Sequence, residues 1–232
     1  HDVRRYVDFL ERLARDRGIG KRDAPAFIRT IREFLAAKQP GDVDSAEIQD
    51  VKRIIRESEA VSGLETLGLG ATHARFLNLP FYQTGKVHKE EIGPADIAIV
   101  RGFLEEIGPQ LIFVAGDLSD PHGTHRMCKE AIDRALAELP GTRPEMWLYR
   151  GAWQEWPVTE ATWLVPLAQE ELRLKIQAIF KHQSQKDSAP FPGAHDEREF
   201  WQRVEARNKE TAGMLNRLGL AEYYAMEAYV VA

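Results

Sequence analysis

The chain has 232 residues, of which 44% are hydrophobic, so it is long enough to bury a core of its own. A formal net charge of −5, without basic runs, argues against a nucleic-acid-binding protein, and no apolar run reaches the roughly 18 residues of a membrane helix. The single cysteine, Cys128, excludes an internal disulfide, and no signal peptide is visible, so we expect a cytoplasmic protein.

The first part of the chain is predicted to be helical. Apolar residues at helical spacing predict helices over 2–17, 24–38 and 45–67, the last with Ser45 as its N-cap. The chain enters the first helix directly after His1, whereas an α/β domain usually begins with a buried strand. We therefore expect the first strand of the domain to lie upstream of His1.

Strand and helix patterns alternate in the rest of the chain. The predicted strands are 74–77, 111–117, 146–149, 162–165 and 223–231, and the predicted helices are 94–107, 124–139, 169–183 and 197–218. This alternation predicts an α/β fold with a Rossmann-like, mostly parallel sheet flanked by helices. We predict one domain over 1–232, in which residues 1–45 are a helical elaboration on a core at 46–232.

The loop after the predicted strand 111–117 concentrates residues with metal or proton chemistry. Asp117, Asp120, His122 and His125 lie within nine residues, and a helix is predicted to follow at once. Open α/β sheets bind ligands beyond the carboxyl ends of their strands, where this loop would lie. Both histidines can share one side of the first helical turn, and Asp120 could orient His122. A metal site is one interpretation, and two solvated histidines are the other.

A catalytic zinc site normally has three protein ligands and one water. The loop supplies one or two of them. The other histidines of the chain are His1, His73, His88, His182 and His195. For His73 and His88 the surface-loop interpretation carries more weight, and Cys128 is better explained as a small buried hydrophobe than as a ligand.

Several segments resemble one protein family. Asp120-Pro-His122-Gly-Thr-His125 resembles the second metal motif of the LmbE-like (PIG-L) zinc de-N-acetylases. Further segments resemble that family in the same order along the chain: Arg53-Ile-Ile-Arg56-Glu57-Ser-Glu59-Ala60, Leu67-Gly-Leu, Arg75-Phe-Leu-Asn-Leu-Pro80, Lys175-Ile-Gln-Ala178, His182-Gln-Ser184-Gln185 and Tyr224-Ala-Met-Glu227-Ala-Tyr. The resemblance extends over roughly residues 46–231.

The resemblance implies a zinc-dependent hydrolase that removes an acetyl group from an N-acetylglucosamine-type sugar or sugar phosphate. By position in the motif, His125 matches a zinc ligand. His122 matches the histidine that stabilises the oxyanion or protonates the leaving amine, and Asp120 is its catalytic partner. A protonated His122 could act in this way electrostatically.

Two departures from the family pattern change the expected site. The family's other two ligands and its base lie in a His-Pro-Asp-Asp motif, which this sequence lacks, so we expect them upstream of His1, completing one Zn²⁺ per chain. The Pro-Asp of the family's second motif is Gly123-Thr124 here. Asp117 or Asp120 would then have to support His122. Asp117 is expected to hold the catalytic residues in place without contacting the substrate itself.

Three residues are candidates for substrate binding. Arg56 would hold the sugar or its phosphate, and Tyr149 and Trp153 follow the next strand, where an aromatic ring could stack on a sugar face. The alternatives are an arginine that is ion-paired on its helix and a tryptophan that packs a loop onto the core. His182 is a candidate for a residue that holds the site residues in place without contacting the substrate itself.

The motif variant and the extra N-terminal helices look closest to a bacterial subgroup with a glucosamine-6-phosphate deaminase-like domain fused in front. One alternative function is therefore a C-terminal partner domain of such a deaminase in amino-sugar catabolism. Another is a degenerate, non-catalytic sugar-binding or oligomerisation module. The expected partners are an amino-sugar substrate and the upstream domain of the same protein. We expect neither nucleic acid nor a membrane as a partner. The protein could also form a homo-oligomer.

Overall fold

The computed structural model describes residues 2–20, 22–39, 42–82, 90–116, 123–150, 154–185, 198–219 and 221–232. The described residues fall into two compact units. The first contains the residues up to Phe76 together with Gln177–Gln185, and the second contains the other described residues.

The first unit is helical, as predicted. Its helices are α1 (Asp2–Arg17), α2 (Ala24–Ala37) and α3 (Ala46–Thr66), followed by a 3-10 turn at Ala71–His73. Ser45 caps α3 by accepting a hydrogen bond from the Ile48 amide at 3.4 Å. The predicted strand at 74–77 is wrong, because these residues follow the 3-10 turn as irregular chain. A short segment such as Ala74-Arg-Phe-Leu77 becomes a strand only if a neighbouring strand pairs with it.

The second unit contains the sheet. Its elements, in chain order, are α4 (Pro94–Ile107), β1 (Leu111–Ala115), α5 (Thr124–Glu138), β2 (Glu145–Tyr149), β3 (Trp163–Leu167), α6 (Gln169–Ile179, whose last turn belongs to the first unit), α7 (Phe200–Arg217) and β4 (Ala225–Val231). The strand order is β1-β2-β4-β3. None of the helices in the described parts of the chain is long and apolar enough to cross a bilayer.

The α/β prediction is confirmed, since a four-stranded sheet is packed against helices. The sheet is mixed, however, and not mostly parallel. β1 and β2 run parallel, with Leu111 opposite Glu145, whereas β4 pairs antiparallel with both β2 and β3. The last strand of the chain inserts between β2 and β3, an order that strand patterns in a sequence do not encode.

Alternation along the strands separates the two faces of the sheet. On one face, Ile112 and Met146 pack against α4 and α5, and Met226 packs against α7. The opposite face carries an aromatic cluster of Phe113, Trp147, Trp163 and Tyr229, in which the Trp147 and Trp163 rings stack with centroids 5.2 Å apart. Phe113 stays 54% exposed there.

A polar network joins α6, α7 and β4 inside the second unit. The Lys175 ammonium donates to Asn208 Oδ1 at 2.9 Å and forms an ion pair with Glu227, which also accepts a hydrogen bond from the Tyr229 hydroxyl at 2.7 Å. Burial alone would raise the pKa of Glu227, but Lys175 and Tyr229 outweigh it, so this pKa lies below its ordinary value. The carboxylate is therefore the form that the fold stabilises.

We expect Glu227→Gln to destabilise the protein in a pH-dependent way. A depressed folded-state pKa adds stability above the ordinary glutamate pKa of 4.5, and this stability is lost as the pH falls through the lower folded value. The loss at pH 7 should be about 2 kcal/mol, below the roughly 3–5 kcal/mol of a fully buried pair, because both side chains keep about a quarter of their exposure.

Urea unfolding of wild type and Glu227→Gln between pH 7 and pH 3 measures this difference. The difference in unfolding free energy between the two proteins should become steadily smaller as the pH falls. The matched control is Glu222→Gln, at an exposed residue just before β4, which should stay within about 0.5 kcal/mol of wild type. A difference between wild type and Glu227→Gln that does not change with pH would contradict the assignment.

Candidate functional site

The motif identified in the sequence lies between a strand and a helix. β1 ends at Ala115, α5 begins at Thr124, and His125 is the second residue of α5, where it is exposed. Gly123, just before the helix, has a φ of 66°, a left-handed conformation that favours glycine. The predicted strand and helix on either side of the motif are thus present. Asp117, Asp120 and His122 lie outside the described residues.

Gly116, the first residue after β1, lies very close to β2. Its amide donates to the Tyr149 carbonyl at 2.7 Å. A Cβ added here would lie 2.8 Å from Cβ of Leu148 and 3.2 Å from Cζ2 of Trp156. Only a residue without a side chain fits between β2 and the tryptophan ring at this position.

Trp156 is held in place from two sides. Its Nε1 donates to the Leu148 carbonyl at 2.9 Å, and the Arg150 guanidinium lies over its ring, 4.3 Å from the centroid. Trp156 therefore packs a loop onto the core, which is the alternative interpretation of a tryptophan after β2. Trp153, the preferred candidate for stacking on a sugar, lies outside the described residues.

Tyr149 ends β2 at the same edge of the sheet as Gly116, and it is 40% exposed. Burial of its hydroxyl raises the pKa of Tyr149, and Cys128 on α5 adds to this rise. The end of β2 and the first turns of α5 therefore lie near each other. Tyr149 stands where a substrate candidate was predicted, at the carboxyl edge of the parallel strand pair.

Arg56, the candidate for substrate binding, and its neighbour Arg53 on α3 differ in their surroundings. Arg53 pairs with Glu57 at 3.0 Å and Asp16 at 3.1 Å, so it is the ion-paired arginine of the alternative interpretation. Arg56 is exposed and has no hydrogen-bond or ion-pair partner among the described residues. Arg56 thus keeps its guanidinium available, and its role in substrate binding stays a prediction.

His182 lies in the first unit, beside α3. Its Nε2 would be 3.3 Å from a Cβ added at Gly63, and burial lowers its pKa although Glu59 opposes the shift. Two residues further on, the Ser184 amide and hydroxyl both donate to the buried Glu59 carboxylate, at 2.7 and 2.6 Å. These hydrogen bonds hold the segment after α6 against α3. His182 therefore packs against residues of the first unit.

The described residues do not fit a zinc site by themselves. Outside the undescribed segments, no group of three or more His, Cys, Asp or Glu side chains is arranged to hold a metal ion. His73 is exposed and shares a hydrogen bond with the Gly70 carbonyl at 3.3 Å. His125 is the one predicted zinc ligand that falls in the described part of the chain.

A cavity of about 550 Å³ lies in the second unit between α7 and the segment 154–159. Arg198, Arg203 and Arg207 line it, together with Glu155 and Glu210. The sequence did not reveal this cavity, because the charges of α7 read as a solvated helix face. The spacing of Arg203 and Arg207, four residues apart, was the available signal, since it puts both side chains on one face of the helix.

No family model matches the chain. A putative glucosamine-6-phosphate deaminase-like protein of Bacteroides thetaiotaomicron is 50% identical over 206 residues, which are 86% of this chain and 31% of that protein. The chain thus spans about a third of the relative's length.

Among solved structures, GalB, the 4-carboxy-2-hydroxymuconate hydratase of Pseudomonas putida KT2440, matches 82% of this chain and 75% of its own, with 12% identity and a TM-score of 0.54. A deacetylase in teicoplanin biosynthesis matches 79% of this chain and 74% of its own, with 15% identity and a TM-score of 0.48. The chain therefore has the α/β fold of GalB. A TM-score below 0.5 adds nothing to this assignment, and a shared fold leaves the reaction open.

We expect Gly116→Ala to destabilise the protein by about 1–3 kcal/mol, because a new methyl group at this point meets Leu148 and Trp156. The matched control is Gly102→Ala in α4, where an added Cβ has open space. That change should be neutral or stabilising by up to about 1 kcal/mol, since alanine favours helix. Urea unfolding of both variants measures this, and equal effects would show that Gly116 is not a close-approach residue.

Proposed function

We propose that this chain carries part of the active site of a zinc-dependent hydrolase of the LmbE-like (PIG-L) family, which removes an acetyl group from an amino sugar or its phosphate. The observation that carries the proposal is the position of His125. It is exposed on the first turn of α5, the helix that follows β1 in the chain. Ligands of α/β sheets bind at the carboxyl ends of the strands.

Two further observations support the proposal. The relative at 50% identity is named after glucosamine-6-phosphate, which is a phosphorylated amino sugar. The motif segments that resemble the de-N-acetylases also contact one another in pairs, namely Glu59 with Ser184 and Lys175 with Glu227. Such pairing favours an LmbE-like fold over a chance likeness of short segments.

Each residue of the proposed site has a distinct task. His125 would be one of the ligands that hold the ion, and the ion would polarise the acetamide carbonyl and lower the pKa of a bound water. His122, oriented by Asp120, stabilises the oxyanion or gives a proton to the leaving amine. Tyr149, at the end of β2, contacts the substrate, together with Arg56 and Trp153.

Metal analysis of the full-length protein tests the ligand assignment. Wild type should hold about one Zn²⁺ per chain, and His125→Ala should lose it, because the site would lose one of three ligands. His122→Ala should keep the metal while acetate release from N-acetylglucosamine 6-phosphate falls by about 10²–10⁴-fold.

His73→Ala is the matched control, since it removes an exposed imidazole from the first unit, and it should retain both zinc and activity. Full zinc retention in His125→Ala would reject the ligand assignment. A wild-type protein without zinc would reject the metal-dependent hydrolase as a whole.

A second candidate is a partner domain of a sugar-phosphate deaminase. The name of the relative favours it, because that protein is called deaminase-like and this chain matches 31% of it. The two functions release different products. The full-length protein should release acetate from N-acetylglucosamine 6-phosphate if the first proposal holds.

An assay of both products decides between the two functions. Ammonia from glucosamine 6-phosphate, without acetate from the N-acetylated sugar, would favour the partner domain. In that case, His125→Ala should leave ammonia release unchanged, because the deaminase reaction would not involve this residue.

A further inference from the structure

We infer that β1 is an internal strand of a larger sheet in the full-length protein, and that its outer edge binds a β-strand from the part of that protein outside this chain. Among the described residues, β1 pairs only with β2, so its outer edge, which faces away from β2, has no strand beside it. The region that matches this chain is 31% of the Bacteroides relative. The sequence alone predicts a strand outside this chain but not where it would pair.

The two edge strands of the described sheet differ in composition. β3, at one edge, contains Pro166, which has no amide to donate, and proline in a sheet is largely confined to edge strands and bulges. β1, at the other edge, reads Leu111-Ile-Phe-Val-Ala115 and contains neither a charge nor a proline. Natural edge strands use such residues to prevent unwanted pairing, whereas a continuous apolar run is typical of a strand inside a parallel sheet. β1 therefore has the composition of an internal strand.

The backbone of β1 presents hydrogen-bonding groups to the outer edge at every second residue. The Gly116 amide points the other way, since it donates to the Tyr149 carbonyl of β2. In a parallel ladder, the amide and carbonyl of one residue point to the same neighbouring strand, and those of the next residue point to the opposite side. By this alternation, the groups that point to the outer edge belong to Leu111, Phe113 and Ala115. A strand added at this edge would supply their hydrogen-bond partners.

The side chains of the same strand leave an apolar surface uncovered. Phe113 is 54% exposed and Leu111 is 37% exposed, and Trp163, at the far side of the aromatic cluster, is 49% exposed. Parallel strands occur almost only in sheets that are covered on both faces, and a contiguous exposed apolar surface marks an interaction site. A strand beside β1 would place its own side chains next to Phe113 and extend the cluster. The outer edge and this face therefore indicate the same partner.

The lack of charge at the outer edge favours a strand of the same polypeptide over a second copy of the chain. The register of strand pairing is set by the alternation of apolar and polar side chains, and β1 has no polar residue to set it. A strand of the same polypeptide is positioned by its connections and has a high effective concentration, so it needs no such signal. An apolar edge that paired between molecules would instead promote aggregation.

Site-resolved hydrogen exchange of the full-length protein tests the inferred pairing. The amides of Phe113 and Ala115, which point to the outer edge, should exchange at rates within about tenfold of that of the Val114 amide, which points to β2. If β1 is an edge strand in the full-length protein, the Phe113 and Ala115 amides should exchange at least about 100-fold faster than the Val114 amide. That result would overturn the inference.

A proline substitution tests the same pairing through stability. Ala115→Pro removes an amide that points to the outer edge, and Ala115→Val is its matched control, because valine is of similar size and keeps the amide. For an internal strand, Ala115→Pro should lower the melting temperature of the full-length protein by about 5 °C or more, and Ala115→Val by no more than about 2 °C. An edge strand tolerates proline at such a position, so equal melting temperatures of the two variants would contradict the inferred pairing.

Photo-cross-linking identifies the partner strand. A p-benzoylphenylalanine incorporated in place of Phe113 should cross-link, within one molecule, to a peptide outside these 232 residues. The same group in place of Leu218, which is 72% exposed just after α7, should not. Cross-links from position 113 only to a second copy, or only to residues of this chain, would rule out the proposed partner. None of these measurements involves zinc or turnover, so their outcome is independent of the proposed hydrolysis.

Discussion

The parallel pairing of β1 and β2 is the constraint on which the candidate site depends. Because the two strands run in the same direction, their carboxyl ends meet at one edge of the sheet, with Gly116 following one and Tyr149 ending the other. The hydrogen bond between these residues closes the pair at that edge. α5 begins eight residues after Gly116, so the loop that carries the motif starts at this edge of the sheet.

Two pairs of residues that carry the resemblance hold distant segments of the chain together. Glu59 on α3 accepts two hydrogen bonds from Ser184, and Lys175 on α6 pairs with Glu227 on β4. Each contact joins two segments that are far apart in the sequence. A buried ionic or hydrogen-bonded pair constrains both partners at once, since removing either leaves the other unsatisfied. The proposal of hydrolysis therefore depends on the Asp120–His125 motif and not on these segments.

The sequence predicts the elements better than their arrangement. β1, β2 and the three N-terminal helices could be read from local patterns, and so could the start of α5 that places His125 on a first turn. The position of β4 between β2 and β3 could not, because strand order depends on pairing between distant segments. The irregular segment at 74–77 shows the same limit, since its apolar residues would form a strand only with a partner.

The arginine-lined cavity was missed for a related reason. Arg203 and Arg207 look like ordinary surface charges in a helix with many carboxylates, and only tertiary packing puts the segment 154–159 over them. Trp156 belongs to this wall, and its ring also touches the position where a Cβ of Gly116 would be.

One rigid side chain thus borders both the residue that follows β1 and the arginine-lined cavity. Its two fixed contacts, to the Leu148 carbonyl and to Arg150, leave it little freedom to move. The ring of Trp156 therefore keeps the residue that follows β1 and this wall of the cavity in a fixed relation to each other.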